Sequence, residues 1–275
     1  MTGIVGALAA DLGGARAGRL EHAYGPQVTL LDDAFCNSAL ARLSQPETPH
    51  AEVVAALRAV YQRLGIEALG TELPRARQAV PTRMAAADPA TGTWSGEVLD
   101  PETPVVVLDI MRGGIVPSQT LFELLTLALP LGQLRLDHLE MARVADDEGR
   151  VAGVDLRAAK VGGSTEGAVL VIPDPMGATG STVREAVHWI RETHGRPRLV
   201  LALHLIATPE AVRTAVDLGP EVRLWAARLD RGLSTPEALA ERPGTLWAEE
   251  RGLNESGYIV PGAGGLGEVL NNSWC

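Results

Sequence analysis

One segment of the chain combines an apolar run, an aspartate and a loop of small residues. Residues 168–183 read Ala-Val-Leu-Val-Ile-Pro-Asp-Pro-Met-Gly-Ala-Thr-Gly-Ser-Thr-Val. The apolar run predicts a buried strand, and the residues from Thr182 onward have the pattern of a helix. Small residues let backbone N–H groups approach a phosphate, hydroxyls add donors, and a helix N-terminus favours an anion. The segment therefore predicts a phosphate site, with Asp174 placed to accept hydrogen bonds from sugar hydroxyls.

The alternative interpretation of this loop is an ordinary strand-to-helix turn with a capping threonine. A Walker loop is excluded, because no lysine follows the glycine. The position of the loop favours the phosphate site, since ligands of open α/β sheets bind beyond the carboxyl ends of the strands.

The composition limits the classes of partner. The formal net charge of −10 argues against a broad electropositive surface for nucleic acid, so an anionic substrate needs a local site of backbone N–H groups and arginines. Two cysteines, Cys36 and Cys275, provide neither a disulfide framework nor a zinc site. We expect a cytoplasmic protein without a membrane segment, because the apolar stretches are short and interrupted.

Strand-like and helical patterns alternate through the second half of the chain. Apolar runs at 105–110, 134–141, 168–172, 198–206 and 221–227 predict strands, and 117–129 and 182–194 predict helices. Thr208-Pro209 predicts another helix start, with threonine as the N-cap and proline in the first position. This alternation is typical of an α/β domain with a mostly parallel sheet flanked by helices.

The remaining segments are less regular. Residues 50–64 predict a helix, 71–104 predict loops, with or without a hairpin, and 146–167 predict a flexible loop or β-flap that could serve as a lid. We divide the chain into an N-terminal arm of uncertain structure (1–35) and one domain (36–275). A surface insertion, partly helical, is expected at 232–251.

Together these motifs resemble the uracil phosphoribosyltransferase family, which belongs to the type I phosphoribosyltransferases. Residues 174–182 match the family's Asp-Pro-Met-x-Ala-Thr-Gly-Gly-Ser loop, with Ser181 in place of the second glycine. Residues 110–114 look like its Ile-Leu-Arg-Ala-Gly turn, 229–233 are similar to its Asp-x-Gly-Leu segment, and 252–262 are similar to its base-binding segment. The similarity runs in order over roughly residues 35–274.

The resemblance implies a type I phosphoribosyltransferase-like fold with a small C-terminal hood over the base. It implies transfer of the phosphoribosyl group of phosphoribosyl diphosphate (PRPP) to uracil, giving UMP and diphosphate in pyrimidine salvage. Mg²⁺ would be the cofactor, without a metal centre built from the protein alone. The family also implies a homodimer or larger homo-oligomer.

The resemblance also implies the site residues. Asp174 would hold the ribose hydroxyls, and Arg112 and Arg143 would hold the diphosphate, so these three are the implied catalytic residues. The implied PRPP site comprises Arg112, Gly113, Arg143, Asp174, Pro175, Met176, Gly177, Ala178, Thr179, Gly180, Ser181 and Thr182. The implied base site comprises Tyr258, Ile259, Val260, Gly262, Gly264 and Gly265.

The chain departs from the family pattern mainly at the acceptor end. Gly265 stands where the family has aspartate, Ala142 where it has tyrosine, and Asp109 where it has proline. Three interpretations stay open: a uracil phosphoribosyltransferase, the same transfer to another acceptor in a specialised biosynthetic pathway, or a non-catalytic nucleotide-binding regulator.

Overall fold

The computed structural model describes residues 18–145 and 151–273, without the side chains of residues 142–145 and 151–154. The described strands are β1 Val28–Leu30, β2 Arg75–Pro81, β3 Thr93–Leu99, β4 Val105–Met111, β5 Leu134–Ala145, β6 Val151–Lys160, β7 Val169–Pro173, β8 Met176–Gly177, β9 Leu199–Ala207 and β10 Val222–Leu229. The described helices are α1 Ala34–Leu43, α2 His50–Glu72, α3 Ile115–Thr126, α4 Ser181–Thr193, α5 Pro209–Asp217, α6 Pro236–Ala240 and α7 Leu266–Asn271.

One sheet organises the molecule, with the strand order β1-β10-β9-β7-β4-β5-β6 and the short β8 paired beside β9. Its pairings are parallel except β5–β6, which is antiparallel. Parallel strands end at the same edge, so the segments that follow β4, β5 and β7 meet there. The predicted α/β architecture with a mostly parallel sheet is confirmed.

Helices cover both faces of the sheet. Helices α1, α2 and α3 pack on one face in a core that includes Leu57, Leu64 and Leu121, and α4 and α5 pack on the other. In α4, Val183, Ala186, Val187 and Ile190 are buried, which is the spacing of one helix face. None of the described helices is both long and apolar enough to cross a membrane.

Sequence and structure agree closely for the predicted helices. The segment predicted at 50–64 continues to Glu72, and α5 begins with Thr208, whose side chain accepts a hydrogen bond from the Ala211 N–H. The predicted hairpin in 71–104 is the antiparallel pair β2–β3. Part of the expected flap is β6, an edge strand; residues 146–150 lie outside the described chain.

Two segments have more contacts with the rest of the domain than their sequences indicate. Within the expected arm, β1 pairs in parallel with β10 and forms an edge of the sheet, while residues 1–17 lie outside the described part. Within 232–251, α6 is helical, but Glu250 is only 1% exposed. Its carboxylate accepts hydrogen bonds from the Tyr24 hydroxyl and from Arg231 and so ties this segment to the N-terminal residues.

Candidate active site

A cavity of about 770 Å³ opens at the carboxyl ends of β4, β5 and β7. Three chain segments predicted from the sequence to carry chemistry meet around it. Its lining residues are Ile110, Met111, Arg112, Gly113, Glu140, Met141, Arg157, Asp174, Pro175, Met176, Ala178, Thr179, Gly180, Ser181, Thr182, Gly257, Tyr258, Ile259, Gly264, Gly265, Leu266, Gly267 and Glu268. The cavity therefore joins the predicted phosphate loop (residues 174–182), the turn that carries Arg112 (residues 110–114, the arginine turn) and the glycine-rich C-terminal segment (residues 257–268).

The loop after β7 turns its carbonyl groups away from the cavity. The carbonyl of Ala178 accepts a hydrogen bond from the Thr208 hydroxyl at 2.6 Å, and the carbonyl of Thr179 accepts one from the Thr214 hydroxyl at 2.7 Å. Because C=O and N–H point in opposite directions across a trans peptide, the N–H groups of Thr179 and Gly180 point toward the cavity. Such N–H groups at the start of α4 form an anion site.

Gly180 is required by the shape of this loop. Its φ is +74°, and a Cβ at this position would lie 2.8 Å from the Cβ of Thr214. A side chain would therefore be both strained and obstructed. Gly180 is also the N-cap of α4 and offers no side-chain cap. The Ser181 N–H donates to the Thr179 hydroxyl at 3.2 Å, whereas the Thr182 N–H remains available to a ligand.

Asp174 leaves β7 at the start of the loop and lines the cavity. Its Oδ1 accepts a hydrogen bond from the Met176 N–H at 3.2 Å, which orients the carboxylate. Its backbone carbonyl lies 2.6 Å from Nδ1 of His204, a side chain that is 1% exposed. The ring of His204 also lies against Gly177, where a Cβ would come within 2.8 Å of it. His204 thus supports the loop from beneath.

Burial of His204 makes the stability of this support depend on pH. Loss of solvation on burial lowers the pKa of the His204 imidazole. In the unfolded chain this imidazole has its ordinary pKa of about 6.5. Below that pH the unfolded state therefore binds more protons than the folded state, and the free energy of unfolding falls as pH decreases. We expect urea titrations of wild type at about pH 7.5 and 5.5 to show this loss, at most about 1.4 kcal/mol per pH unit for one group.

Replacing His204→Asn should remove most of that slope. His22, whose pKa is lowered by burial, and Asp109, whose pKa is raised by burial, contribute equally to wild type and variant. An unchanged slope in His204→Asn would show that His204 does not titrate as described.

The turn after β4 lies against the phosphate loop. A Cβ on Gly113 would be 3.4 Å from Cγ of Pro175, which is van der Waals distance, so the turn lies directly beside the loop after β7. The guanidinium of Arg112 donates hydrogen bonds to the carbonyl and hydroxyl oxygens of Ser273, at 3.3 and 3.1 Å. The C-terminal residues thus reach the arginine that lines the cavity.

Asp109 lies beneath this turn. It is 2% exposed, its Oδ2 is 2.9 Å from Nδ1 of His138, and its Oδ1 lies against Gly114. Burial raises the pKa of the Asp109 carboxyl, partly offset by the hydrogen bond to His138. Asp109, which stands where the family has proline, does not line the cavity. This departure therefore changes the contacts beneath the turn and not the cavity wall.

One residue of the C-terminal segment, Ile259, has backbone groups without a hydrogen-bond partner among the described residues. The N–H and C=O of Ile259 make no hydrogen bond with any described residue, although Ile259 lines the cavity. Val260, by contrast, donates to the carbonyl of Gly252 at 2.8 Å and accepts from the N–H of Gly232 at 3.0 Å. Of these two members of the implied base site, Ile259 therefore has backbone groups that could bind a base, whereas those of Val260 are used within the fold.

An ion pair holds the turn that follows. Asp230 is 3% exposed, is paired with Arg228, and accepts a hydrogen bond from the Gly262 N–H at 2.7 Å. Arg228 donates to the carbonyl of Gly262 at 3.1 Å. Both backbone groups of Gly262 are thus fixed by one buried pair, which positions the segment over the cavity.

Glu268 occupies the space beside Gly265. A Cβ built on Gly265 would collide with the carboxylate of Glu268, and both residues line the cavity. The carboxylate that the sequence lacks at position 265 is thus present in space, carried three residues later by α7. This placement follows from the first turn of α7, in which the Glu268 N–H donates to the carbonyl of Gly265.

The structure places most of the predicted site residues around one cavity. Gly177, Val260 and Gly262 lie behind the lining, where their backbones support it, and the side chain of Arg143 lies outside the described part of the chain. Sequence reasoning did not assign Arg157, which reaches the cavity from β6. A basic residue in a flap next to an anion site was its only signal.

Comparisons with known proteins agree with this geometry. A sequence model of the uracil phosphoribosyltransferase family matches residues 30–245. A uracil phosphoribosyltransferase of Paraburkholderia xenovorans is 27% identical over 248 residues, covering 89% of this chain and 94% of that protein. One from Thermococcus gammatolerans is 26% identical over 186 residues, covering 65% of this chain and 72% of that protein.

The fold also resembles a solved structure, the AQ2163 protein from Aquifex aeolicus, with a TM-score of 0.66 and 22% identity over 88% of this chain and 97% of that one. The family match covers more than half of the chain and includes both the arginine turn and the phosphate loop. The chain therefore belongs to the uracil phosphoribosyltransferase family of PRPP-dependent phosphoribosyltransferases.

Proposed function

We propose that this protein transfers the phosphoribosyl group of PRPP to uracil, giving UMP and diphosphate in pyrimidine salvage. The choice of uracil as the acceptor rests on one observation: the backbone N–H and C=O of Ile259, in the C-terminal part of the cavity lining, make no hydrogen bond with any described residue. A donor and an acceptor on one extended residue match the alternating carbonyl and N–H groups of a pyrimidine edge. The names of the relatives support the same acceptor.

In the proposed reaction the bond between C1′ and the diphosphate oxygen breaks and the bond between C1′ and a ring nitrogen forms. The diphosphate departs with the electron pair, and the proton of the ring nitrogen passes to water. Asp174 would hold the ribose hydroxyls, the N–H groups of Thr179 and Gly180 the 5′-phosphate, and Arg112 the diphosphate. Catalysis then rests on positioning and on stabilising the leaving charge.

Mg²⁺ fits the donor set of the cavity as a companion of PRPP. The described residues contain no group of three or more His, Cys, Asp or Glu that could hold a metal by themselves. Mg²⁺ commonly binds through one or two carboxylates together with substrate phosphates. Asp174 and Glu140 both line the cavity and could supply those carboxylates. When bound, the ion would neutralise charge on the diphosphate.

The base end makes a specific prediction about acceptor choice. If the carboxylate of Glu268 accepts an N–H of the base, Glu268→Ala should reduce the preference for uracil over other bases by about 10-fold or more, because a buried donor would be left unpaired. Gly265→Asp alone should displace the flexible end of Glu268, because its side chain would take the space of that carboxylate and add a second negative charge beside it. The double variant Gly265→Asp, Glu268→Ala should recover part of the preference.

The measurement is kcat/KM for uracil, cytosine, thymine, orotate and hypoxanthine in wild type and the three variants. Equal ratios of kcat/KM in wild type and Glu268→Ala would remove Glu268 from acceptor recognition. Wild-type turnover of another base in preference to uracil would support the alternative of a different acceptor, which the glycine at position 265 favours. Binding of UMP without turnover of any base would support a nucleotide-binding regulator.

The proposal also includes cytoplasmic location and a homodimer or larger homo-oligomer. Exposed apolar side chains on the β2–β3 hairpin, Val80, Met84 and Trp94, are suited to a contact between copies of the chain.

A further inference from the structure

The pairing of β5 with β6 contains a bulge beside the cavity. Glu140 is opposite Ala158 and Met141 is opposite Leu156, so Arg157 is an extra residue on β6 without a partner on β5. Bulges of this kind interrupt the alternation of a strand and redirect a side chain, and they are frequent next to active sites. Here the redirected residue is Arg157, which lines the cavity together with Glu140 and Met141.

The guanidinium of Arg157 is exposed and makes no hydrogen bond or ion pair with any described residue. The guanidinium of Arg135, on the neighbouring β5, is by contrast fully engaged within the protein, since it donates hydrogen bonds to Asp137 and to the carbonyls of Gly163 and Ser164. Among the described lining residues the only cationic side chains are Arg112 and Arg157. Both therefore face a cavity that must accept a polyanion.

The order of the strands indicates which part of the ligand Arg157 would meet. The phosphate loop follows β7, the Arg112 turn follows β4, and the next strands across the sheet are β5 and β6. Arg157 thus enters from the side of the arginine turn that is farther from the phosphate loop. A ligand with its 5′-phosphate at residues 178–182 would present its second anionic group between Arg112 and Arg157.

We propose that Arg157 binds the diphosphate group of PRPP, as a cation in addition to Arg112 and the implied Arg143. This inference rests on the proposed function, because it takes PRPP as the donor. A guanidinium is well suited to the purpose, since it remains charged and donates two parallel hydrogen bonds to phosphate oxygens. Arg157 carries the cation on an edge strand, where it can close over the ligand after entry.

The test compares the binding of PRPP with Mg²⁺ and the binding of UMP by calorimetry, at one ionic strength. Arg157→Gln should weaken PRPP binding about 10- to 100-fold, in the range for one lost hydrogen-bonded charge, and change UMP binding less than about twofold, because UMP has no diphosphate. Arg157→Lys should recover part of the PRPP affinity. Lys160→Gln removes an exposed cation from the same strand outside the cavity lining, so it should affect neither ligand.

Equal PRPP affinity in wild type and Arg157→Gln would overturn the inference and leave the proposed function standing. An equal loss of PRPP and UMP binding would also overturn it, because that result indicates a general effect on the cavity. A wild-type protein that binds UMP but no PRPP would instead contradict the proposed function, and the inference with it.

Discussion

Replacement of Asp174 by asparagine should lower kcat/KM by about 10²–10³, because a carboxylate binds two ribose hydroxyls through charge-assisted hydrogen bonds that an amide cannot match. The asparagine can keep the local structure, since its side-chain oxygen can still accept the hydrogen bond from the Met176 N–H. The melting temperature should therefore change little. Steady-state kinetics and thermal unfolding of the same preparation check both expectations.

Asp137→Asn is the matched control for this variant. Asp137 is buried, whereas Asp174 is partly buried, and both accept a backbone hydrogen bond, that of Asp137 from the Gly162 N–H at 3.0 Å. Asp137 is paired with Arg135 and does not line the cavity. It should lose stability and retain activity per folded molecule. If Asp174→Asn retained wild-type activity, Asp174 would be only a turn residue.

Arg112→Ala should lower kcat by about 10²–10³, the usual cost of removing one positioned donor that stabilises developing charge. UMP should bind nearly as well as to wild type, since it lacks the diphosphate that Arg112 is proposed to hold. In the structure the guanidinium is bound to the carbonyl and hydroxyl of Ser273. Charge-assisted hydrogen bonds to a diphosphate are stronger and would replace these contacts.

Single-turnover kinetics and UMP titration separate the two effects of Arg112→Ala. Arg184→Ala is the control, because Arg184 is exposed on α4, is paired with Glu185, and lies outside the cavity lining. An equal loss of UMP binding with an unchanged kcat would assign Arg112 to the structure of the turn.

The central strands and the start of α5 could be predicted, because the residues that determine them are neighbours in the sequence. The buried strands β4 and β7 are continuous apolar runs, and the start of α5 is marked by Thr208 and Pro209, whose capping depends on neighbours in sequence. The order of aspartate, small residues and helix after β7 likewise predicted the strand–loop–helix arrangement of residues 169–193. These features require no information about distant residues.

Features that depend on distant partners were not predictable. Strand β1 has three residues and is a strand only because β10, nearly two hundred residues later, pairs with it. The position of Arg157 depends on the register between β5 and β6, which the charged and glycine-rich sequence of 146–167 does not specify. The same reason applies to Val260 and Gly262, whose backbone groups are occupied by Gly252, Gly232, Arg228 and Asp230.

The departures at the acceptor end are partly compensated by the fold. Gly265 removes a carboxylate from the sequence pattern, and Glu268 places one in the same space from α7. Comparison of motifs alone registers the glycine at 265 and not the Glu268 carboxylate that lies beside it.

The proposed reaction, transfer of the phosphoribosyl group from PRPP to uracil at residues 174–182, can be followed directly by phosphorus NMR of wild-type protein mixed with PRPP, Mg²⁺ and uracil. We expect equal amounts of UMP and free diphosphate, with formation of both greatly slowed in Asp174→Asn. No UMP and no uracil-dependent diphosphate from wild type, or the same rate in Asp174→Asn, would contradict it.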